Sequence, residues 1–191
     1  MILTEEIFQE TYTVRRLKVK EVVKSFDCGD ADLNDFILNE SLFYRKALLA
    51  VSYVVENKKN DNWVSAYFSL ANDRISLTDF KDKTEFNRFR KHRFVNEKRL
   101  RSYPATKICR LGVDGSAKGV GMGSFLLAFI QSYFVVNNKT GCRFLTVDAY
   151  ADAVPFYLRN GFVPLTPEDE NSPTRLLFFD LSDLVDDDID D

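Results

Sequence analysis

The sequence Ile108-Cys-Arg-Leu-Gly-Val-Asp-Gly-Ser-Ala-Lys-Gly-Val-Gly-Met-Gly-Ser-Phe-Leu-Leu127 predicts a strand, a tight loop and the start of a helix. Its beginning is mostly apolar, as expected of a short buried strand at 108–113. Four glycines then fall within the nine residues 115–123. After them, apolar residues recur at spacings of three and four, which predicts one buried face of a helix. The residues of this face are Phe125, Leu126, Phe129, Ile130, Tyr133 and Phe134.

The glycine loop predicts an anion-binding site. Glycines let the backbone approach a ligand, and a helix start offers unpaired N–H groups at the positive end of the helix dipole. The Gly-x-x-x-x-Gly-Lys-Ser/Thr run of a P-loop is missing. The dinucleotide pattern Gly-x-Gly-x-x-Gly/Ala fails at its third position, which Ser124 or Leu126 occupies. The loop alone fits a diphosphate cradle and a turn without a ligand equally well.

Length and composition indicate one globular domain. The chain has 191 residues, of which 45% are hydrophobic, so it is long enough to bury a substantial core. The formal net charge of −3 and the isoelectric point of about 5.3 do not indicate an overall field that attracts nucleic acid or membranes. No apolar run approaches the roughly 18 residues that a membrane span needs.

Cysteine and histidine usage argues against disulfides and zinc. Cys28, Cys109 and Cys142 are odd in number and widely spaced, which is typical of reduced thiols in the cytosol. The acidic N-terminus lacks the basic and apolar regions of a signal peptide, so we expect a cytoplasmic location. Because the chain has no Cys-x-x-Cys pair and a single histidine, His92, we expect no metal site.

Residue patterns along the rest of the chain predict an alternation of strands and helices. Strands are predicted at 11–19, 49–56, 63–70, 108–113, 143–149, 162–165 and 175–180, and helices at 33–45, from 124 to about 137, and at 152–160. A polar turn at 57–62 joins the second and third strands, and Gly161 ends the last helix. We expect residues 1–182 to form a single domain, followed by an acidic, disordered tail at 183–191.

A basic segment at about 80–104 interrupts this alternation. Phenylalanines are interleaved with its cations, and the excess of positive charge continues to Arg110. The basic residues are Lys81, Lys83, Arg88, Arg90, Lys91, Arg93, Lys98, Arg99, Arg101, Lys107 and Arg110. One interpretation is a surface for an acidic partner, either RNA or the phosphates of coenzyme A. The other is an amphipathic helical insert whose charges face water.

Two motifs in order resemble the GNAT acetyltransferases. Lys118-Gly-Val-Gly-Met-Gly123 is similar to the family loop (Arg/Gln)-x-x-Gly-x-Gly/Ala, with Lys at the first position. About thirty residues later, Ala153-Val-Pro-Phe-Tyr157 through Gly161-Phe162 matches Ala-x-x-Phe-Tyr-x-x-x-Gly-Phe. The resemblance implies an α/β (α+β) GNAT fold. In that fold a mixed, mostly antiparallel sheet of six to seven strands is splayed between strands 4 and 5 and flanked by helices.

The first half resembles one branch of that family, the toxin-type acetyltransferases of bacterial toxin–antitoxin pairs. Phe26-Asp-Cys-Gly-Asp-Ala-Asp-Leu-Asn34 fits the branch motif Phe-x-Cys-Gly-x-x-x-Leu-(Asp/Asn). Ala66-Tyr-Phe-Ser-Leu70 fits Gly-Tyr-x-x-Leu with Ala for Gly, and Val147-Asp-Ala149 is also similar. Members of the branch acetylate the amino group of aminoacyl-tRNA and are strongly basic, whereas this chain is acidic and its insert at 80–104 is longer than the branch needs.

The resemblance also implies where acetyl-CoA, the cosubstrate, would bind. It would lie between the strands that end near Val113 and Asp148. The backbone at Leu111 and Val113 would hold its pantetheine arm, the amides from Gly119 to Ser124 its diphosphate, and Lys118 would add a charged contact. The full set of residues expected to contact it is Leu111, Gly112, Val113, Lys118, Gly119, Val120, Gly121, Met122, Gly123, Ser124, Asp148, Ala153 and Phe156.

The same resemblance implies direct attack by an amine on the thioester in a ternary complex, without a metal. Tyr157 is the candidate general acid for the leaving thiolate, because a phenol has a pKa near that of a thiol. A core or rim tyrosine is the alternative interpretation. The general base stays open: His92 lies in the basic insert, Asp148 is near the expected cleft, and a water-mediated route is equally compatible.

Three functions therefore compete. The first is a cytosolic N-acetyltransferase that transfers the acetyl group of acetyl-CoA to a primary amine. The second is the same chemistry on aminoacyl-tRNA, restrained by an antitoxin. The third is a non-catalytic domain that binds coenzyme A. Expected partners are acetyl-CoA and an amine acceptor, with an antitoxin, tRNA or a second copy of the chain as further candidates, and no membrane.

Overall fold

The structure, a computed structural model, describes residues 3–60, 63–91, 93–94, 100–136, 140–167 and 169–185. Its helices are α1 Glu5–Thr11, α2 Ala31–Asp35, α3 Ser41–Lys46, α4 Lys83–Lys91, α5 Met122–Val135 and α6 Val154–Arg159. Its strands are β1 Tyr12–Arg16, β2 Val51–Asn57, β3 Trp63–Ser76, β4 Ser102–Val113, β5 Phe144–Tyr150, β6 Val163–Pro164 and β7 Thr174–Asp180. One π-helical turn, Phe36–Glu40, joins α2 to α3, and 3₁₀ turns occupy Leu77–Asp79, Gly115–Ala117 and Leu181–Leu184.

The strands form a seven-stranded sheet in the order β1-β2-β3-β4-β5-β7-β6. The pairs β1–β2, β2–β3, β5–β7 and β6–β7 are antiparallel, and β4–β5 is parallel. The parallel register runs from Ala105–Phe144 to Lys107–Thr146, although β4 and β5 both continue beyond it. The prediction of a mixed, mostly antiparallel sheet flanked by helices is therefore confirmed.

The chain divides into two compact units, and the first comprises residues 1–71 and 108–130. One aromatic cluster of this unit surrounds Tyr67, a fully buried side chain on β3. Phe26 meets the Tyr67 ring edge-on at 5.1 Å, and the Phe36 ring lies parallel to it at 6.3 Å. Helix α5 buries Leu126 and Ile130 of its predicted apolar face, together with Met122 and Leu127, whereas Tyr133 of that face is exposed. Phe125 of the same face stacks on Phe8 of α1 at 4.0 Å.

The second unit comprises residues 72–107 and 131–191 and is built on phenylalanines. The described residues of this core that carry aromatic rings are Phe80, Phe86, Phe89, Phe94, Tyr103, Phe144 and Phe178. Helix α4 supplies Phe86 and Phe89 to the core, whereas its neighbour Arg88 is exposed. The basic segment is thus anchored by an amphipathic helix, because the phenylalanine spacing places one apolar face inward.

Several boundaries differ from the predicted ones. Helix α1 was not predicted; Thr4 caps it by accepting a hydrogen bond from the Ile7 N–H, and its apolar content is small. Strand β3 continues to Ser76 and β4 begins at Ser102, so the connection between them is residues 77–101, which is as long as the predicted insert at 80–104 but begins three residues earlier. The first two residues of the predicted tail, 183 and 184, lie in the 3₁₀ turn Leu181–Leu184, which is capped by the Asp180 carboxylate through a hydrogen bond from the Ser182 N–H.

Some predictions fall outside the described residues. They are the surface role of His92, part of the turn at 57–62, the helix end near 137–138 and most of the acidic tail. No helix in the described ranges combines the length and the apolar character that crossing a bilayer requires.

Candidate functional site

The end of β4 carries three of the residues predicted to contact acetyl-CoA, and its glycine is required by packing. A Cβ atom at Gly112 would lie 2.8 Å from Cε1 of Tyr67 and 3.2 Å from Cζ of Phe26. Gly112 therefore lets the aromatic cluster of the first unit lie directly against the strand. Leu111 and Val113, on either side of Gly112, are half-buried. Their backbone groups are placed by a strand that the cluster holds rigidly.

A buried aspartate, Asp114, forms the turn between β4 and the glycine loop. One of its carboxylate oxygens accepts from the N–H and the hydroxyl of Ser116, at 3.0 and 2.6 Å. The other oxygen accepts from the N–H of Asp27 at 3.1 Å. Burial raises the pKa of Asp114, but these hydrogen bonds together outweigh it, so the pKa lies below its usual value. The carboxylate thus fixes where the loop begins.

The loop itself follows the conformation that its glycines predict. Gly119 and Gly121 have φ values of +81° and +89°, which side chains with a Cβ rarely adopt. A Cβ built on either glycine meets nothing within 4 Å, so the backbone conformation, and not crowding, requires glycine. The loop surface at both positions is open to a ligand.

The backbone N–H groups at the start of α5 are available for an anion. The Phe125 N–H donates to the Gly121 carbonyl at 3.0 Å. Within the part of the chain that the structure describes, no hydrogen-bond acceptor lies at the N–H groups from Gly119 to Ser124. Because a helix leaves its first N–H groups unsatisfied, these donors can hold a phosphate group.

Lys118 forms a hydrogen bond to a segment that is distant in sequence. Its ammonium donates to the Cys28 carbonyl at 2.5 Å, so a contact with a phosphate stays a prediction. The Gly115 N–H also donates to the Asp27 carbonyl, at 2.9 Å. The segment 26–34, singled out as a motif in the sequence, therefore supports the glycine loop. The motif was visible in the sequence, but this role could not be predicted because the contact partners lie about ninety residues apart.

Internal hydrogen bonds hold that supporting segment. The Asp27 carboxylate accepts from the Gly29 N–H and the Asn34 amide, both at 2.8 Å. The Asn34 carbonyl oxygen accepts from the Cys28 N–H at 2.9 Å and lies 3.2 Å from its Sγ. Burial raises the pKa of the Cys28 thiol, which agrees with a structural role for this cysteine.

In the second unit, Asp148 lies on the exposed face of β5. Its carboxylate accepts a hydrogen bond from the Lys107 ammonium at 2.7 Å, and half of its side chain is exposed. A general base must be free to take a proton from the acceptor, so the ion pair makes this carboxylate a weaker candidate. Ala153 and Phe156, predicted to contact acetyl-CoA, are half-buried at the start of α6.

Tyr157 lies in α6 and is 7% exposed. The Phe156 and Phe162 rings meet its ring at 5.1 and 5.4 Å. Within the described residues no hydrogen-bond partner lies at its hydroxyl. Burial raises its pKa to about 12, so the phenol is protonated at neutral pH, but its pKa is further from that of a thiol than we predicted. The hydroxyl is a proton donor without a competing partner.

The end of α6 has the predicted geometry. Gly161 has φ +84°, the conformation of a glycine that follows the last helical turn. The Phe162 N–H then donates to the Tyr157 carbonyl at 3.1 Å. This turn fixes the helix on which Tyr157 is carried.

No group of three or more potential metal-binding side chains occurs in the described ranges. Cys28, Cys109 and Cys142, all within the described ranges, form no disulfide bond.

Comparison with known proteins finds a family model that matches the part of the chain that carries these residues. Residues 86–178, which include the glycine loop and Tyr157, match the family model described as Acetyltransferase (GNAT) domain. No curated protein matches the sequence. The family match confirms the GNAT prediction that two motifs in the sequence supported.

Solved structures of toxin acetyltransferases share the fold over nearly the whole chain. A tyrosine-to-phenylalanine mutant of KacT superposes with a TM-score of 0.72 at 21% identity, covering 92% of this chain and 99% of KacT. AtaT complexed with acetyl-methionyl-tRNA gives a TM-score of 0.68 at 23% identity, covering 91% and 96%. AtaTR bound with acetyl-CoA gives 0.67 at 22% identity, covering 92% and 96%.

Proposed function

From the GNAT acetyltransferase domain that this chain contains, we infer that it transfers the acetyl group of acetyl-CoA to a primary amine by direct attack in a ternary complex. The observation that carries the proposal is the glycine loop. Its N–H groups from Gly119 to Ser124 are unpaired within the described residues and stand at the start of α5. Each phosphate charge near a helix start gains roughly 0.3–1 kcal/mol.

The proposed binding residues fall into two sets. Leu111 to Val113 and Lys118 to Ser124 belong to the first unit, and Asp148, Ala153 and Phe156 to the second. The backbone at the end of β4 would hold the pantetheine arm and the loop amides the diphosphate. Acetyl-CoA supplies the activated acetyl group as a thioester.

In the proposed reaction the protein aligns the amine with the thioester and supplies one proton. The acceptor nitrogen forms a bond to the acetyl carbonyl carbon as the bond from that carbon to sulfur breaks. The departing sulfur takes its proton from the Tyr157 hydroxyl, and the nitrogen loses a proton to water. Holding the two reactants in line is worth up to about 7–11 kcal/mol, and a positioned acid typically contributes ~10²–10⁴-fold.

A second candidate is the same transfer to the amino group of aminoacyl-tRNA, under the control of an antitoxin. The observation in its favour is that the fold matches toxin acetyltransferases over nine-tenths of this chain. AtaT has been captured with acetyl-methionyl-tRNA, and an AtaT mutant toxin with the C-terminus of the antitoxin AtaR. A domain that binds coenzyme A without catalysis is the third candidate. The Tyr157 hydroxyl argues against it, because no partner among the described residues competes for its proton, which could pass to the leaving thiolate. We place the protein in the cytoplasm, which is supported by three cysteines that form no disulfide bond.

Labelled acetyl-CoA tests these candidates in one assay. Purified chain is incubated with small amines, peptides and charged tRNA, and both thiol release and label in the acceptor are measured. We expect transfer to at least one primary amine in stoichiometry with thiol release. Uncharged tRNA is the matched control, because it lacks the amino group. Label in charged tRNA alone selects the second candidate, and binding of acetyl-CoA without transfer to any acceptor contradicts both enzymatic proposals.

A further inference from the structure

A basic pocket in the second unit is separate from every residue proposed to contact acetyl-CoA. It is a half-open cleft of about 380 Å³ next to α4 and the end of β3. Its lining residues are Arg74, Ser76, Leu77, Thr78, Lys83, Phe86, Asn87, Arg90 and Arg101. Ligand pockets for small molecules typically start at about 300 Å³, so a compact ligand fits.

The pocket lining holds four cationic side chains and no carboxylate. Four acidic residues of the described chain lie nearby in sequence, and each accepts hydrogen bonds from neutral donors; the Asp79 carboxylate lies at the edge of the pocket, because its donor Ser76 is a lining residue. Asp73 accepts from the Thr146 hydroxyl, Asp79 from the N–H and hydroxyl of Ser76, Asp82 from the N–H groups of Thr84 and Glu85, and Glu85 from the Lys81 N–H. In the described part of the chain, no carboxylate lies within salt-bridge distance of Arg74, Lys83 or Arg101. Within the described residues these three cations therefore have no ion-pair partner, and they can hold an anion.

One of the four cations is held in a fixed orientation. The Arg90 guanidinium donates to the Asn87 side-chain oxygen at 2.5 Å and to the Leu100 carbonyl at 3.2 Å. It lies 5.2 Å from the centre of the Phe86 ring, which is buried in the core. A guanidinium fixed in this way keeps donors ready for a ligand without losing side-chain entropy on binding.

The part of the pocket lining without cations is suited to contact the base and sugar of a nucleotide. Leu77 is 40% exposed and apolar, and the hydroxyl of Thr78 follows it in the lining. Arginine planes bind phosphate by paired N–H donors and also stack on bases. We propose that this pocket is a nucleotide-binding site, in which Arg74, Lys83 and Arg101 take the phosphate and Leu77 lies against the nucleoside.

Direct binding measurements test the site without reference to acetyl transfer. AMP, ADP, inorganic phosphate and a six-nucleotide RNA with or without a 5′-phosphate are titrated into the full chain by calorimetry. We expect AMP or ADP to bind more tightly than inorganic phosphate. An RNA that binds more tightly than AMP only when it carries the 5′-phosphate identifies a strand end as the source of the nucleotide, and AMP or ADP binding above RNA identifies a free nucleotide.

Substitutions tie that binding to the pocket. Arg74→Ala combined with Arg101→Ala should weaken nucleotide binding at least about tenfold, and Lys83→Ala alone severalfold. Arg88→Ala is the matched control, because Arg88 is an exposed arginine on the same helix but outside the lining. Circular dichroism verifies that each variant is folded, and thiol-release kinetics should give an unchanged KM for acetyl-CoA.

Three results would overturn the proposal. The first is no binding of any of these anions at millimolar concentration. The second is an equal loss in the Arg88→Ala control, which means diffuse attraction to a basic surface only. The third is a KM for acetyl-CoA that rises in the double variant by the same factor as the nucleotide dissociation constant, because the pocket would then belong to coenzyme A.

Discussion

The Tyr157 hydroxyl is the single group on which the proposed proton transfer depends. Its raised pKa, about 12, keeps it protonated throughout the neutral range, so the proton is present when the thiolate leaves. Tyr157→Phe removes the proton and leaves the packing of the ring. We expect kcat to fall at least about tenfold while the KM for acetyl-CoA changes little, measured by steady-state thiol release.

The control for that substitution is Tyr150→Phe. Tyr150 is 55% exposed at the end of β5, so the loss of its hydroxyl should leave kcat within about twofold. If Tyr157→Phe turned over like the unmodified chain, another group or water would have to protonate the sulfur.

Individual glycines show how far residue-level prediction reaches. The sequence spacing predicts that Gly119 and Gly121 form an open loop, and their positive φ values agree. Gly112 was predicted only as a neighbour of acetyl-CoA, yet its lack of a side chain accommodates Tyr67. Local spacing predicts local conformation, but a requirement imposed by a ring from another strand depends on tertiary packing that a single sequence does not reveal.

At the level of elements, the segment 26–34 and the glycine loop act together. Asp114 joins them, because its buried carboxylate accepts from Ser116 on one side and from Asp27 on the other. These contacts hold the backbone N–H groups of the glycine loop in position before acetyl-CoA binds. Less conformational entropy is then lost on binding.

Asp114→Asn should reveal this junction through the pH dependence of stability. The folded-state pKa of Asp114 is depressed, so its contribution is present above the unfolded-state pKa, near 4, and is lost as pH falls through the folded-state value. We expect a deficit of about 1–3 kcal/mol in the free energy of unfolding at pH 7, since a buried donor loses its partner. The deficit should shrink below about pH 4.

Urea unfolding at pH 7, 5 and 3.5 measures that deficit. Asp152→Asn, which changes an exposed carboxylate in the turn after β5, is the control and should stay within about 0.5 kcal/mol at each pH. A deficit for Asp114→Asn that is constant across these pH values would show that packing, and not ionisation, is what the carboxylate contributes.

The boundaries of helices and strands, like the role of Gly112, are predictable only where local sequence determines them. The β2–β3 hairpin was predictable from two apolar runs around a polar turn, and its antiparallel register is confirmed. Helix α1 has little apolar periodicity, and its Phe8 is fixed by stacking on Phe125 from α5. Strand β3 continues past its predicted end at 70 to Ser76, and β4 begins at Ser102, inside the predicted basic segment. Pairing with strands that are distant in sequence determines those ends, so a short stretch of sequence is not enough to predict them.

For the whole molecule, charge distribution matters more than net charge. The total of −3 predicts no attraction for polyanions, yet four cations line one pocket of the second unit without a carboxylate among them. Composition therefore excludes a strongly basic protein but says nothing about a local anion site, because a pocket depends on which side chains the fold brings together.

Two ligands that bind separate sites should stabilise the folded chain additively. Each contributes RT ln(1 + [L]/Kd), about 2.7 kcal/mol at a hundredfold excess over its Kd. We expect acetyl-CoA and AMP together to raise the free energy of urea unfolding by the sum of their individual effects. Fluorescence of Trp63, the only tryptophan, follows the transition, and Arg74→Ala with Arg101→Ala should abolish the AMP increment alone. A joint effect no larger than that of the stronger ligand would mean that both compete for one site.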